Sequence, residues 1–255
     1  MSFYGFGQLN KEKLVLLRER AHTRGMRTAV ITGASRGLGR ALAVVLAERG
    51  WRLVVDARGA ADLEAVANEL GDRTDVVAIA GDVSDEAHCQ ALLDAVGGGR
   101  LDLLVNNASL LGPSPQPRLA DYDLETLKHV YDVNVFAPLR LTQLALPLLR
   151  ASAGHVINVT SDAAVEGYEG WGGYGSSKAA LEQWSRVLAA EEPAVRVWWV
   201  DPGDMNTQMH QDAFPGEDIS DRQPPEAVAP ALLALIDRDP PSGRYQAADF
   251  VGVPA

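Results

Sequence analysis

The stretch Thr28–Gly39, TAVITGASRGLG, decides the fold of this chain. Its first part, Thr28–Thr32, is a short β-branched run that reads as a strand. Its second part, Thr32–Gly39 (TGASRGLG), spaces glycines at 33, 37 and 39 and leads straight into Leu38–Arg49 (LGRALAVVLAER). That segment is rich in Ala and Leu, reads as a helix, and stops at Gly50. A glycine-rich turn between strand and helix lets the backbone turn tightly and approach a pyrophosphate. The helix N-terminus then faces the negative charge. The same turn also serves as a plain connection, so the evidence must come from what surrounds it.

Outward from the turn, strand and helix patterns alternate. Strand-like runs stand at Arg52–Val55, Val76–Ala80, Leu101–Val105, His155–Thr160 and Val195–Val200, with a last strand expected within Gly243–Ala255. Between them lie helical stretches at Ala61–Leu70, Glu86–Val96, Leu124–Arg150, Tyr174–Ala190 and Pro225–Asp237. Pro138 and Pro147 are expected to kink the longest of these. Near-continuous apolar strands separated by helices predict a parallel sheet covered on both faces. The expected architecture is a doubly wound, Rossmann-like α/β sandwich of three layers and about seven strands. One such domain is expected over 26–255, preceded by an N-terminal extension, 1–25, whose segment Asn10–Arg20 reads as an extra helix.

Composition excludes several function classes. Of 255 residues, 47% are hydrophobic and 22% charged, enough for a large core. The net charge of −11 argues against a nucleic-acid groove. No apolar run approaches the length of a membrane helix. The N-terminus, MSFYGFGQLN, lacks the pattern of a secretory signal. Cys89 is the only cysteine, so the chain is expected in a reducing cytoplasm. No metal site is expected, since His129, His155 and His210 show no ligand spacing.

Tyr174-Gly-Ser-Ser-Lys178 is the sharpest chemical feature. At i and i+4 the two side chains share a helix face. An ammonium beside a phenol favours the phenolate and lowers a pKa that is ordinarily about 10. The pair can then exchange a proton with a carbonyl or alcohol oxygen. Lysine scarcity sharpens this reading. Between residues 26 and 255 only Lys128 and Lys178 are lysine, where arginine is used elsewhere, as if a compact ammonium is needed at 178. Ser161 follows the fifth strand, at the carboxyl edge where such sheets bind ligands. Asn134 sits inside a helical stretch, an unfavourable place for Asn. For the nucleotide, Val54-Val55-Asp56-Ala57-Arg58 offers both signs at the end of the second strand. An acid there binds ribose hydroxyls, whereas Arg58 together with Arg36 suits a 2′-phosphate.

Together these residues resemble the short-chain dehydrogenase/reductase family over about residues 27–250. TGxxxGxG matches Thr32–Gly39, YxxSK matches Tyr174, Ser177 and Lys178, and Ser161 stands thirteen positions before the tyrosine. Asp82-Val83, Asn106-Asn107-Ala108 and Pro202-Gly203 with Thr207 match further family segments. The chain departs at Ser109, where the family has glycine, and in a C-terminus without the usual Gly-Gly ending. The resemblance implies hydride transfer between a nicotinamide and a ketone or aldehyde, or the corresponding alcohol. It makes Tyr174 the general acid and base, Lys178 the residue that holds the ribose and lowers the phenol pKa, and Ser161 the residue that polarises the substrate oxygen. It makes Asn134 the anchor of a water.

It further implies that Gly33, Ser35, Arg36, Gly37, Leu38, Gly39, Arg58, Asp82, Val83, Asn106 and Ala108 bind the cofactor, together with Tyr174, Lys178, Pro202, Gly203 and Thr207. NADP(H) is favoured over NAD(H), because Arg36 and Arg58 take the basic positions, Ala57 takes that of the acid, and Asp56 is expected to face away. Leu110, Leu111, Val165, Tyr168, Trp171, Met205 and Met209 are expected to line an apolar, aromatic substrate pocket, with Phe214 in the same loops. Homodimers or homotetramers through Leu124–Arg150 and Tyr174–Ala190 are implied as well. The competing readings are an NADP-binding regulator without turnover, and a dehydratase or epimerase on the same site.

Overall fold

The computed structural model describes residues 25–251. The expected N-terminal helix at Asn10–Arg20 lies outside the described residues. The strands are β1 (Thr28–Ile31), β2 (Arg52–Ala57), β3 (Val76–Ala80), β4 (Leu103–Asn106), β5 (His155–Val159), β6 (Arg196–Asp201) and β7 (Gly243–Gln246). The helices are α1 (Gly37–Glu48), α2 (Ala60–Gly71), α3 (Glu86–Val96), α4 (Leu124–Tyr131), α5 (Ala137–Ser152), α6 (Gly172–Glu191), α7 (Gln208–Ala213) and α8 (Pro225–Arg238). All strands run parallel in the order β3-β2-β1-β4-β5-β6-β7. This is the expected doubly wound sheet.

The two-residue period of a strand builds the two covered faces. In β1, Ala29 and Ile31 join one core with Leu42 and Leu46 of α1 and Leu232 of α8. Val30 between them joins the other core, with Leu92 of α3, Leu141 of α5 and Leu188 of α6. Several helix ends carry their own signals. Asp85 caps α3 by accepting from Ala87 N at 2.9 Å, and Gly97 ends that helix at φ 82°. Asp123 caps α4 by accepting from Thr126 N at 2.8 Å.

Two features position the site. The order reverses at β1, whose neighbours β2 and β4 are reached by crossovers on opposite faces, and this opens a crevice at the carboxyl ends of the strands. The long helical stretch is also interrupted, next to Pro138 and not at Pro147, which lies inside an unbroken helix. Pro138 stands at the junction, in the first turn of α5, where its missing N–H interrupts the backbone ladder that runs on from the preceding turn. The break is a π-helical turn, Asp132–Phe136, just before it. The extra residue in that turn re-aims Asn134 into the protein, where it is buried.

Candidate active site

A cleft of about 740 Å³ runs along the carboxyl edge from the β1–α1 turn to α6 and α7. Gly33 and Gly37 build the turn at φ 67° and 57°, in the left-handed region that favours glycine. α1 starts without a capping side chain and without an acid in its first turn. Its first N–H groups are therefore left for a ligand. Ser35, Arg36, Gly37 and Leu38 line the cleft. Gly39 does not, because it serves the packing beneath. A Cβ there would lie 2.4 Å from Gly33 O and 2.5 Å from Asn107 Nδ2.

Asp56 is spent on this turn. Its carboxylate accepts from Gly33 N at 2.7 Å and pairs with His88 Nε2 at 2.9 Å. Burial pushes this carboxyl up, and the His88 and Gly33 bonds oppose that push. Asp56 was expected to face away, but it lines the cleft together with its neighbours Ala57 and Arg58, and so do Asp82 and Val83. Burial acts to raise Asp82, but bonds from Ser84 and the nearby Arg58 charge outweigh it and hold the carboxyl low.

The Asn106-Asn107 pair divides differently from the sequence expectation. Asn106 ends β4 with its amide turned into the fold, donating to Asn158 Oδ1 at 2.7 Å and Thr142 Oγ1 at 3.1 Å. It braces the sheet and is not on the cleft wall. Asn107 is on the wall, and its amide donates to Thr32 O at 2.8 Å and Gly33 O at 3.1 Å. Ala108 lies beside it on the wall, with its N–H on Thr32 Oγ1.

At the other end of the cleft stand Ser161, Tyr174 and Lys178. Lys178 Nζ donates to Val159 O at 2.8 Å and lies 5.5 Å from the centre of the Tyr174 ring. Burial moves both groups toward their neutral forms. It lowers Lys178 from 10.5 to about 7 and pushes the Tyr174 phenol upward, against the Ser109 hydroxyl and with the charges of Asp201 and Asp162. Burial therefore outweighs the phenol-lowering effect expected of Lys178. Ser161 turns its hydroxyl to Asp162 Oδ1 at 2.9 Å and accepts from Ala163 N.

Asn134 is tied off completely. Its Oδ1 accepts from Leu110 N and Ser109 Oγ, and its Nδ2 donates to Leu110 O and Ser177 Oγ. The side chain thus ties the β4–α4 loop to α6 and has no hydrogen left for the expected water. A residue the sequence did not single out supports Ser161 from below. Arg244 of β7 donates to Ser161 O and Asp201 Oδ2, each at 3.2 Å, and to buried Glu182 at 2.9 Å. Asp201 in turn accepts from Gly203 N at 3.0 Å, and this fixes the Pro202-Gly203 loop.

Pro202, Gly203, Met205, Thr207 and Met209 close the cleft, with Leu110, Leu111 and Trp171 opposite. Trp171 packs edge-on to Tyr174 at 5.8 Å and against Phe214 at 5.8 Å. Val165 and Tyr168 stand off the wall, 54% and 46% exposed. The Tyr168 hydroxyl reaches back to Asp162 instead. The signal for these departures was weak, since loop apolar residues carry no face period.

Comparison with known proteins agrees with this geometry. The short chain dehydrogenase family model matches residues 27–218. A benzil reductase ((S)-benzoin forming) of Saccharomyces cerevisiae is 35% identical over 214 residues, covering 80% of this chain and 79% of the relative. Sepiapterin reductase of Mus musculus is 39% identical over 203 residues, 73% of this chain and 77% of the relative. Among solved structures, an alcohol dehydrogenase from Thermococcus sibiricus, complexed with 5-hydroxy-NADP, superposes at a TM-score of 0.79 and 30% identity. It covers 87% of this chain and 95% of that one. A short chain dehydrogenase from Escherichia coli CFT073, complexed with NADPH, gives 0.79 and 32%, covering 87% and 96%. The chain belongs to the short-chain dehydrogenase family and is an oxidoreductase of that family.

Proposed function

We propose that the protein is an NADP(H)-dependent carbonyl reductase, interconverting a ketone or aldehyde and its alcohol. One observation carries this reading. A tyrosine, a lysine and a serine share a wall of the cleft that begins at the glycine-rich turn. The residues present fit a nicotinamide dinucleotide. The uncapped start of α1 suits a diphosphate, and Arg36 and Arg58 suit a 2′-phosphate. Lys178, buried with a single recorded acceptor at Val159 O, has donors left for ribose hydroxyls. Asp82 and Val83 would hold the adenine end, and Pro202, Gly203 and Thr207 the nicotinamide end. When bound, the cofactor supplies or accepts a hydride. Tyr174 gives its phenolic proton to the substrate oxygen in reduction and takes it back in oxidation. Ser161 donates to that same oxygen after leaving Asp162.

The wall of Leu110, Leu111, Trp171, Met205 and Met209 favours an aryl-substituted carbonyl, and a relative named benzil reductase points the same way. Assembly as a homodimer or homotetramer through the two long helical stretches goes with this reading. The buried free thiol of Cys89 suits the cytoplasm.

The test is NADPH absorbance over a carbonyl panel that includes benzil. Tyr174→Phe is expected to cut turnover by about 100-fold or more. Equal rates in the two proteins would sink the enzyme reading. A product formed with no net cofactor change would indicate a dehydratase or epimerase instead. Arg58→Ala is expected to raise the Kd for NADPH by about tenfold or more while leaving that for NADH nearly unmoved. Fluorescence titration measures both, and equal effects on the two would refute the NADP preference.

A further inference from the structure

Tyr174 stands on α6 and Ser161 in the loop after β5, so a joint action of the two needs something that holds one element against the other. A buried charged node does this. Glu182 stands about two turns beyond Tyr174 on α6, and its carboxylate is 2% exposed. Its Oε1 accepts from Thr160 Oγ1 at 3.0 Å and from Arg244 Nε at 2.9 Å. Its Oε2 accepts from Arg186 at 3.2 Å, on the same helix. Arg244 Nη2 in turn donates to Ser161 O and to Asp201 Oδ2, each at 3.2 Å. Thr160 and Ser161 are thus both tied to the tyrosine helix through one carboxylate. The other bond to Ser161 O, from Ala164 N at 3.1 Å, is local to the loop and sets nothing relative to α6. The fork is what makes the tie specific. The nitrogens of a guanidinium lie in one rigid plane, so its bond to Glu182 fixes the direction of its bond to Ser161 O, whereas a lysine carries all its donors on one atom.

We propose that Arg244 is a positioning residue for Ser161, and that through Glu182 it holds the serine main chain at a fixed offset from Tyr174. The inference rests on the reductase reading above. In the reduction step Tyr174 gives its proton to the substrate oxygen while Ser161 Oγ donates a hydrogen bond to the same oxygen. Both contacts form together only if the two residues keep their spacing, and a misplacement of about 1 Å costs up to about 100-fold in rate. The Ser161 hydroxyl has to turn away from Asp162 to reach the substrate, so the backbone that carries it is the part that must stay still. Arg244 and Glu182 stand behind the cleft wall and not on it, so they act through Ser161 and touch no reacting atom. The second branch of the fork, to Asp201 and from there to Gly203 N, bears on the nicotinamide loop and is read separately, as cofactor binding.

The experiment is a double-mutant cycle on the full chain. Arg244→Lys keeps the positive charge beside the two buried carboxylates and removes the fork. At saturating NADPH it is expected to lower kcat about tenfold, with the substrate KM and the NADPH Kd each changing less than about threefold. Ser161→Ala is expected to retain about 0.1–1% of wild-type turnover, which is read at high enzyme concentration. In that background no hydroxyl is left to position, so Arg244→Lys is expected to cost less than about twofold, and the two effects do not add. Thr160→Val cuts the other tie to Glu182 without changing a charge, and it is expected to show the same dependence on Ser161 with a loss of about threefold. It carries the test if Arg244→Lys unfolds. A residue that merely stabilised the fold would cost the same factor in both backgrounds. Equal factors in the two backgrounds, a kcat unchanged in both variants, or an effect confined to the NADPH Kd, in a wild type whose turnover depends on Tyr174, overturns this proposal alone. A wild type without turnover on any carbonyl or alcohol overturns the reductase reading and this proposal with it.

Discussion

Replacing Lys178 with methionine should make the protein more stable while abolishing its activity. Lys178 is 2% exposed and its recorded hydrogen bond is to Val159 O. Burial lowers it from 10.5 to about 7. That drop corresponds to about 5 kcal/mol of penalty for carrying the charged form into the fold. Methionine has a similar length and no charge, so it removes the penalty and forfeits one hydrogen bond of about 1 kcal/mol. The net gain near pH 7 is about 3–4 kcal/mol, or about 10 °C in Tm.

The pH dependence follows from the folded value lying below the unfolded one. Above about 10.5 both states hold a neutral amine and wild type carries no penalty. As pH falls from there toward 7 the unfolded state protonates first, and wild type loses stability relative to the variant. Below 7 the difference is constant. Urea unfolding of both proteins at about pH 7 and about pH 10 measures this, and the advantage of Lys178→Met should shrink markedly at the higher pH. A variant no more stable than wild type at pH 7, or an advantage unchanged between the two conditions, refutes the reasoning.

Two further substitutions test the phosphate turn. Asp56→Ala strands Gly33 N–H and His88 Nε2, and it should cost about 2–4 kcal/mol in urea unfolding and weaken dinucleotide binding. Asp56→Asn, which keeps an acceptor, should cost less, and an Asp56→Ala protein as stable as wild type would refute the brace. Gly39→Ala should lose about 1–3 kcal/mol to the clash with Gly33 O, although alanine is the better helix former. Gly71→Ala, with nothing within 4 Å of the added carbon, should gain a few tenths of a kcal/mol or more, and a Gly39→Ala protein as stable as the Gly71 control would show that the turn has room to yield.

What was legible in the sequence was whatever repeats along the chain. The strands of the sheet lie within a few residues of their expected positions, because burial on both faces leaves continuous apolar runs. The glycine-rich turn and the Tyr174–Lys178 spacing were legible too, since i and i+4 on a helix need no knowledge of the rest of the fold. Pairings between distant segments were not. Asp56 finds His88 on a different element, 32 residues away, and Arg244 reaches Ser161 across 83. Asn106 and Asn107 are chemically identical, and their jobs differ because one ends β4 facing α5 and the other leaves it facing the turn. Pro138 marked a break in this helix, but nothing within Asp132–Phe136 itself marked a π turn. Its purpose appears only once Asn134 is seen to hold Leu110 and Ser177 together.

The bracing of Gly33 by Asp56 also divides labour on β2. The carboxylate at 56 holds Gly33 and His88 although it reaches the cleft, and Ala57 beside it lines the same cleft with no polar group. An acid that reads the ribose would have to come from a different position than the acid that holds the turn. If the chain binds a dinucleotide as proposed, cofactor choice would therefore be separable from the integrity of the glycine-rich turn. On the NADP(H) reading proposed above, residues 57 and 58 could be exchanged to alter the dinucleotide preference without touching the bond by which Asp56 holds Gly33.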